Sequence, residues 1–158
     1  MTMESVNDAM IAELLTRRKQ VTNPNVREAD KASHIQKNFR VVSSDGYEFN
    51  LYWRQNKRVK DDFSCGLAWH MPSGETMTLV RYNGSSHPHQ NRIKGTVIEF
   101  RCHIHRATER YIRANLKPEG FAEPTDRYRS ISGAFHDLVS DCNITGITTE
   151  RDYPDLFE

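Results

Sequence analysis

Cysteine is scarce: the 158-residue chain has three, Cys65, Cys102 and Cys142. They are odd in number, scattered and without Cys-x-x-Cys spacing, which argues against a disulfide framework or a zinc knuckle and leaves them as small apolar residues for the interior. Long apolar runs are also missing, since no stretch approaches the ~20 residues that cross a bilayer. The opening MTMESVNDAM lacks the basic-then-apolar layout of a signal peptide. A cytoplasmic protein without membrane association is therefore expected. No internal repeat, low-complexity tract or sharp nucleophile turn is found, and no cofactor is expected.

What is present is a single-domain length with 37% hydrophobic residues arranged in periodic runs. Residues 3–20 read as an amphipathic helix, with Val6, Met10, Ile11, Leu14 and Leu15 at helical spacing and Arg17, Arg18 and Lys19 closing its C-terminal end. A linker follows to about residue 34. Alternation at Ile35–Val41, Tyr47–Trp53, Phe63–Trp69 and Met77–Tyr82 then predicts four strands, with Asp45-Gly46 and Pro72–Glu75 as turns. A fifth strand is expected from Thr96 to Arg106. Tyr128, Ile131, Phe135, Leu138 and Cys142 fall on one helical stripe. The reading is one domain over 1–158. Residues 1–34 form the N-terminal helix and linker, 35–142 the core, and 143–158 an acidic tail in which Leu156 and Phe157 are candidates to dock. The fold class is α+β: an antiparallel sheet of about five strands, packed on one face by an N-terminal and a C-terminal helix.

Histidine and charge are distributed unevenly. His87 and His89 lie in SSHPHQN, and His103 and His105 in FRCHIHRA. In an extended strand, residues two apart share a face. His103 and His105 are thus expected side by side on a solvent face with Glu99 and Arg101, leaving Ile98, Phe100, Cys102 and Ile104 on a greasy face. Between Arg81 and Lys117 eight basic residues are opposed only by Glu99 and Glu109, although the net charge is +1. Such a stretch attracts phosphates or acidic surfaces.

Histidine titrates nearest neutrality, so a pair that divides into neutral and protonated partners suits metal-free RNA cleavage. In this reading His103 and His105 share acid and base roles, and Arg81 and Arg101 stabilise phosphate charge. His87, His89, Asn91, Arg106 and Lys94 contact substrate. Basic residues interleaved with aromatics, among them Tyr52, Trp53, Arg54, Arg81 and Tyr82, suit single-stranded nucleic acid. His70 would border the site, His136 is structural, and His34 is a surface or loop residue. Two other readings stand beside this one. One is a non-enzymatic regulator or anti-defence module binding nucleic acid or an acidic protein. The other is a metalloprotein in which three imidazoles with a carboxylate, Glu99 being the one placed to help, hold zinc or another divalent metal.

From Tyr47 to Ile144 the order of LVRYNGSSHPHQN, IEFRCHIHRATER and FHDLVSDCNI resembles an uncharacterised family of small bacterial and phage proteins. The landmarks are Arg81, Asn83, His87, Asn91, His103, His105, Cys142, Asn143 and Ile144. More distantly, the arginine, the histidine loop and the His-x-His strand are similar to those of TumE-type ribonuclease toxins of toxin–antitoxin pairs. That resemblance implies RNA cleavage, a toxin or defence role, and an antitoxin or host factor as protein partner. Those toxins usually carry an Asp where this chain has Asn83.

Overall fold

The computed structural model describes residues 2–152. A 3-10 turn, Met3–Ser5, precedes helix α1, Asp8–Thr16, whose N-terminus is capped by the Asn7 side chain accepting from the Met10 amide at 2.9 Å. The helix is shorter than the expected 3–20. The chain turns at Arg17 and enters strand β1, Lys19–Val21, which buries Lys19 to 1% exposure. The expected attraction between cation and helix end survives in another form. Lys19 Nζ donates to the carbonyls of Leu15 (2.9 Å), Arg17 (2.9 Å) and Cys142 (2.8 Å), tying the end of α1 to the C-terminal segment.

The remaining strands are β2 (Ala29–Asp30), β3 (His34–Ser43), β4 (Glu48–Asn56), β5 (Phe63–His70), β6 (Thr76–Asn83), β7 (His89–Gln90), β8 (Val97–Ile98), β9 (His103–Arg106), β10 (Phe121–Pro124) and β11 (Ile144–Thr145). Helix α2 is Glu109–Arg113 and helix α3 is Ile131–Asp141. The protein is α+β with a mostly antiparallel sheet. Among the described residues that sheet has nine strands, in the order β10-β9-β6-β5-β4-β3-β1-β11 with β2 beside β3, instead of about five. Among the described strands only β1 and β11 run parallel. The strands legible in sequence are β3, β4, β5, β6 and β9. The others are two to four residues long, too short to show a period of two.

One face of the sheet carries Phe39, Val41, Phe49, Leu51, Cys65, Leu67 and Trp69, all buried. Helix α3, capped by Ser130, contacts β4, β5, β6 and β11. Phe135 meets Phe39 with ring centroids 5.9 Å apart. Ile11 and Leu14 of α1 belong to the same core. The three cysteines are free, with Cys65 and Cys142 buried and Cys102 half-buried. Among the described residues no helix is long and apolar enough to cross a membrane. Leu156, Phe157 and the rest of the expected tail beyond 152 lie outside the described residues.

A bulge in β6 decides what the other face carries. Met77 pairs with Trp69 and Thr78 with Ala68, but the next partner of β5, Leu67, meets Val80. Leu79 is the extra residue. Without it, period two would send Arg81 to the apolar side with Met77. With it, Arg81 and Asn83 point away from the core while Val80 and Tyr82 point into it.

Candidate active site

The outward face is built from two cross-strand rows. One runs Asn38, Tyr52, Gly66, Arg81, His105 and Ala122, and the next runs Gln36, Arg54, Ser64, Asn83, His103 and Pro124. A cavity of about 560 Å³ opens over these rows. Its walls include Gln36, Asn38, Asn50, Tyr52, Arg54, Thr78, Arg81, Asn83 and His103, with Ser86 and His87 from the loop after β6.

The expected geometry of the histidine strand needs three corrections. The strand is not continuous from Thr96 to Arg106. Val97–Ile98 pairs with His89–Gln90 as a separate two-stranded ribbon, and the chain bends between Glu99 and Cys102 before β9 begins. Glu99 therefore does not share a face with His103, and Phe100 is 66% exposed instead of lying on a greasy face. The third correction concerns solvent. His103 and His105 do share a face, but they are buried, at 2% and 3% exposure, because the ribbon and the Pro118–Gly120 segment close over that end of the sheet.

The structure brings three imidazoles together. Ring centroids are 5.1 Å apart for His103 and His105, 4.6 Å for His89 and His105, and 5.8 Å for His89 and His103. Each ring donates to a backbone carbonyl. His103 Nδ1 donates to Arg101 (2.9 Å), His105 Nδ1 to Glu119 (2.9 Å) and His89 Nε2 to Gly120 (2.8 Å). A carbonyl only accepts, so these bonds fix the tautomers: the Nε2 atoms of His103 and His105 carry lone pairs. His103 Nε2 lies 3.5 Å from the Asn83 side-chain amide nitrogen, and Asn83 Oδ1 is buried with no partner among the described residues.

Burial dominates the electrostatics. It pushes the His105 imidazole down to about 3, with Arg81 and the other two imidazoles adding to the effect. The His103 ring is lowered too, mainly by burial, against the opposing pull of the Arg101 carbonyl. Both rings are therefore neutral at pH 7, and the pair does not divide into one base and one acid. His87 is the ring that reaches solvent. Its side chain is 77% exposed on the cavity wall, with Nε2 3.9 Å from Asp62.

Arg81 is held on the cavity wall from two sides. Its guanidinium lies 3.7 Å from the buried Glu119 carboxylate and in hydrogen-bonding reach of the Tyr52 hydroxyl. Tyr52 lies across Gly66, where a Cβ would collide with its hydroxyl. Burial raises the Tyr52 phenol well above its ordinary value, so it stays protonated. Glu119 gave no sequence signal, because it sits alone in the turn KPEG. Tyr52 stood among the aromatics interleaved with basic residues, but only the cross-strand register places it beside Arg81.

Other expected site residues lie elsewhere. The Arg101 side chain is exposed and pairs with Asp126 at 3.2 Å, so only its carbonyl serves the site. Arg106 is exposed on the α3 side of the sheet, since it follows Ile104 in parity. Lys94 is exposed in the turn before β8 and does not line the cavity. Asn91 is 4% exposed and structural: its amide donates to the Ala122 carbonyl (2.9 Å) and accepts from the Ala122 amide (2.8 Å), pinning the ribbon to β10. His89 packs behind the pair instead of lining the cavity. His70 is exposed outside the cavity, and His34 opens β3 half-buried. Among the described residues, no group of three His, Cys, Asp or Glu side chains has the geometry to hold a metal ion.

No family model, curated protein or solved structure matches the chain.

Proposed function

We propose that the protein is a metal-independent ribonuclease that cleaves single-stranded RNA by transphosphorylation. The observation that carries this reading is the convergence of a neutral, carbonyl-anchored imidazole, a braced guanidinium and an exposed imidazole on one polar cavity. In this mechanism His103 Nε2 accepts the proton of the ribose 2′-hydroxyl. The 2′-oxygen bonds to phosphorus as the bond to the 5′-oxygen breaks, and His87 donates a proton to the departing oxygen. The products are a 2′,3′-cyclic phosphate and a 5′-hydroxyl. Arg81 faces the charge that builds on the phosphoryl oxygens. Tyr52 and Glu119 hold Arg81, and His105 is a positioning residue that anchors the end of the site to the Glu119 carbonyl.

A toxin or defence role, and an antitoxin-like partner, rest on the resemblance of the arginine, the histidine loop and the His-x-His strand to TumE-type toxins. The test is incubation of purified protein with RNA in excess EDTA. Cleavage is expected for the natural chain and its loss for His103→Ala. Arg81→Ala should lower the rate by a factor of about 10²–10³, the usual effect of removing one charge-stabilising group. Full activity in His103→Ala would refute the mechanism.

A further inference from the structure

The end of the cavity away from the histidines has a chemistry of its own. On the outward face Asn50 on β4 stands two strand spacings, roughly 10 Å, from the strand of Arg81, and Asn38 on β3 stands three spacings, roughly 14 Å, from Arg81 itself. Their amides are oriented by a hydrogen-bonded chain. Asn38 Oδ1 accepts from Gln36 Nε2 (3.4 Å) and from Asn50 Nδ2 (3.3 Å), while His34 Nε2 lies 3.3 Å from Gln36 Oε1. Among the described residues this leaves the Asn38 amide nitrogen as a donor and the Asn50 carbonyl oxygen as an acceptor without partners, both on the cavity wall. Tyr52, half-buried between them and Arg81, gives the cavity an aromatic side.

A donor and an acceptor held in fixed order are what recognises the edge of an unpaired nucleobase. On their Watson–Crick edges adenine and cytosine present an amino donor followed by a ring acceptor, whereas guanine and uracil present a carbonyl acceptor followed by a ring donor. A fixed amide pair therefore matches one of these two classes and opposes the other. The separation from Arg81, roughly 10–14 Å across the sheet, places such a base one or two nucleotides from the phosphate.

We propose that Asn38 and Asn50 form a base-reading subsite that selects between amino-type and keto-type bases one or two nucleotides from the phosphate held by Arg81. The proposal rests on the RNA-cleaving reading of the same cavity and adds sequence selectivity to it.

The probes are 2′-fluoro pentanucleotides of adenine, cytosine, uracil and hypoxanthine, the last standing in for guanine. Lacking a 2′-hydroxyl, they bind without being cleaved. Affinities are read by fluorescence anisotropy at fixed salt. The natural chain should bind adenine and cytosine probes alike, uracil and hypoxanthine probes alike, and the two classes about tenfold or more apart. Asn38→Ala/Asn50→Ala should shrink that gap to about twofold or less, and Arg81→Ala should weaken all four while keeping the gap. Both asparagines are on the outward face, so an unchanged thermal transition certifies the fold. Four equal affinities in the natural chain, or a gap that survives the double substitution, would overturn the subsite and leave the ribonuclease reading standing. Binding of none of the probes together with no cleavage of RNA would overturn both.

Discussion

In the proposed mechanism His103 is the residue on which the chemistry turns. Burial lowers its imidazole below the ordinary histidine value, and the carbonyl of Arg101 keeps Nδ1 protonated, so the lone pair is on Nε2, where the Asn83 amide donates weakly to it at 3.5 Å. A lowered value keeps the base form present at lower pH. The acid limb of the cleavage rate should therefore fall with a midpoint below about 6.5, the ordinary histidine value, and a midpoint above that value would assign the base elsewhere. Gly66 is the second residue of consequence, because the Tyr52 hydroxyl occupies the space a Cβ would need. Gly66→Ala should displace Tyr52 and release one support of Arg81. Cleavage should fall by about tenfold or more, and an unchanged rate would remove Tyr52 from the account.

At the scale of elements, the site depends on pieces that period-two patterns do not reveal. The strands holding Phe39, Phe49, Leu67 and Val80 were legible because one face of each is buried, and the same alternation put His103 beside His105. The bulge at Leu79 was not legible, since Met77, Leu79 and Val80 read equally well as one uninterrupted strand; only pairing with β5 shows the extra residue that turns Arg81 outward. Burial of the two histidines was hidden for a related reason. The cover comes from a two-residue ribbon and a turn, both too short for any periodicity, and they are held by side-chain-to-backbone bonds. Asn91 supplies two of those bonds, acting like a missing strand beside Ala122. Asn91→Ala would leave both Ala122 backbone groups without protein partners. It should lower stability by about 2–4 kcal/mol in denaturant unfolding and speed amide exchange at Ala122. A change within about 0.5 kcal/mol would show that the ribbon is not held this way.

For the whole molecule, the buried imidazoles link the site to stability. His105 ionises near 3 in the folded state and near the ordinary 6.5 when unfolded. Below the unfolded value the unfolded chain binds the extra proton, so this stabilising contribution is complete above about pH 6.5 and lost as pH falls toward 3. Through that window His105 alone steepens the loss by up to about 1.4 kcal/mol per pH unit. His105→Gln should flatten the stability profile between about pH 6 and 4, even if it lowers stability at pH 7. An unchanged slope would mean that the ring is already charged in the folded protein. The net charge of +1 gives little long-range attraction for RNA, so under the proposed function affinity should come from the local arginines around the cavity and fall as salt rises.

The most direct measurement is the chemistry of the ends left on RNA by the purified protein in EDTA. If His103 takes a proton from the ribose hydroxyl, the fragments carry 2′,3′-cyclic phosphate and 5′-hydroxyl ends, and none form with His103→Ala. Intact RNA with the natural chain, or fragments ending in 5′-phosphate, would contradict the account.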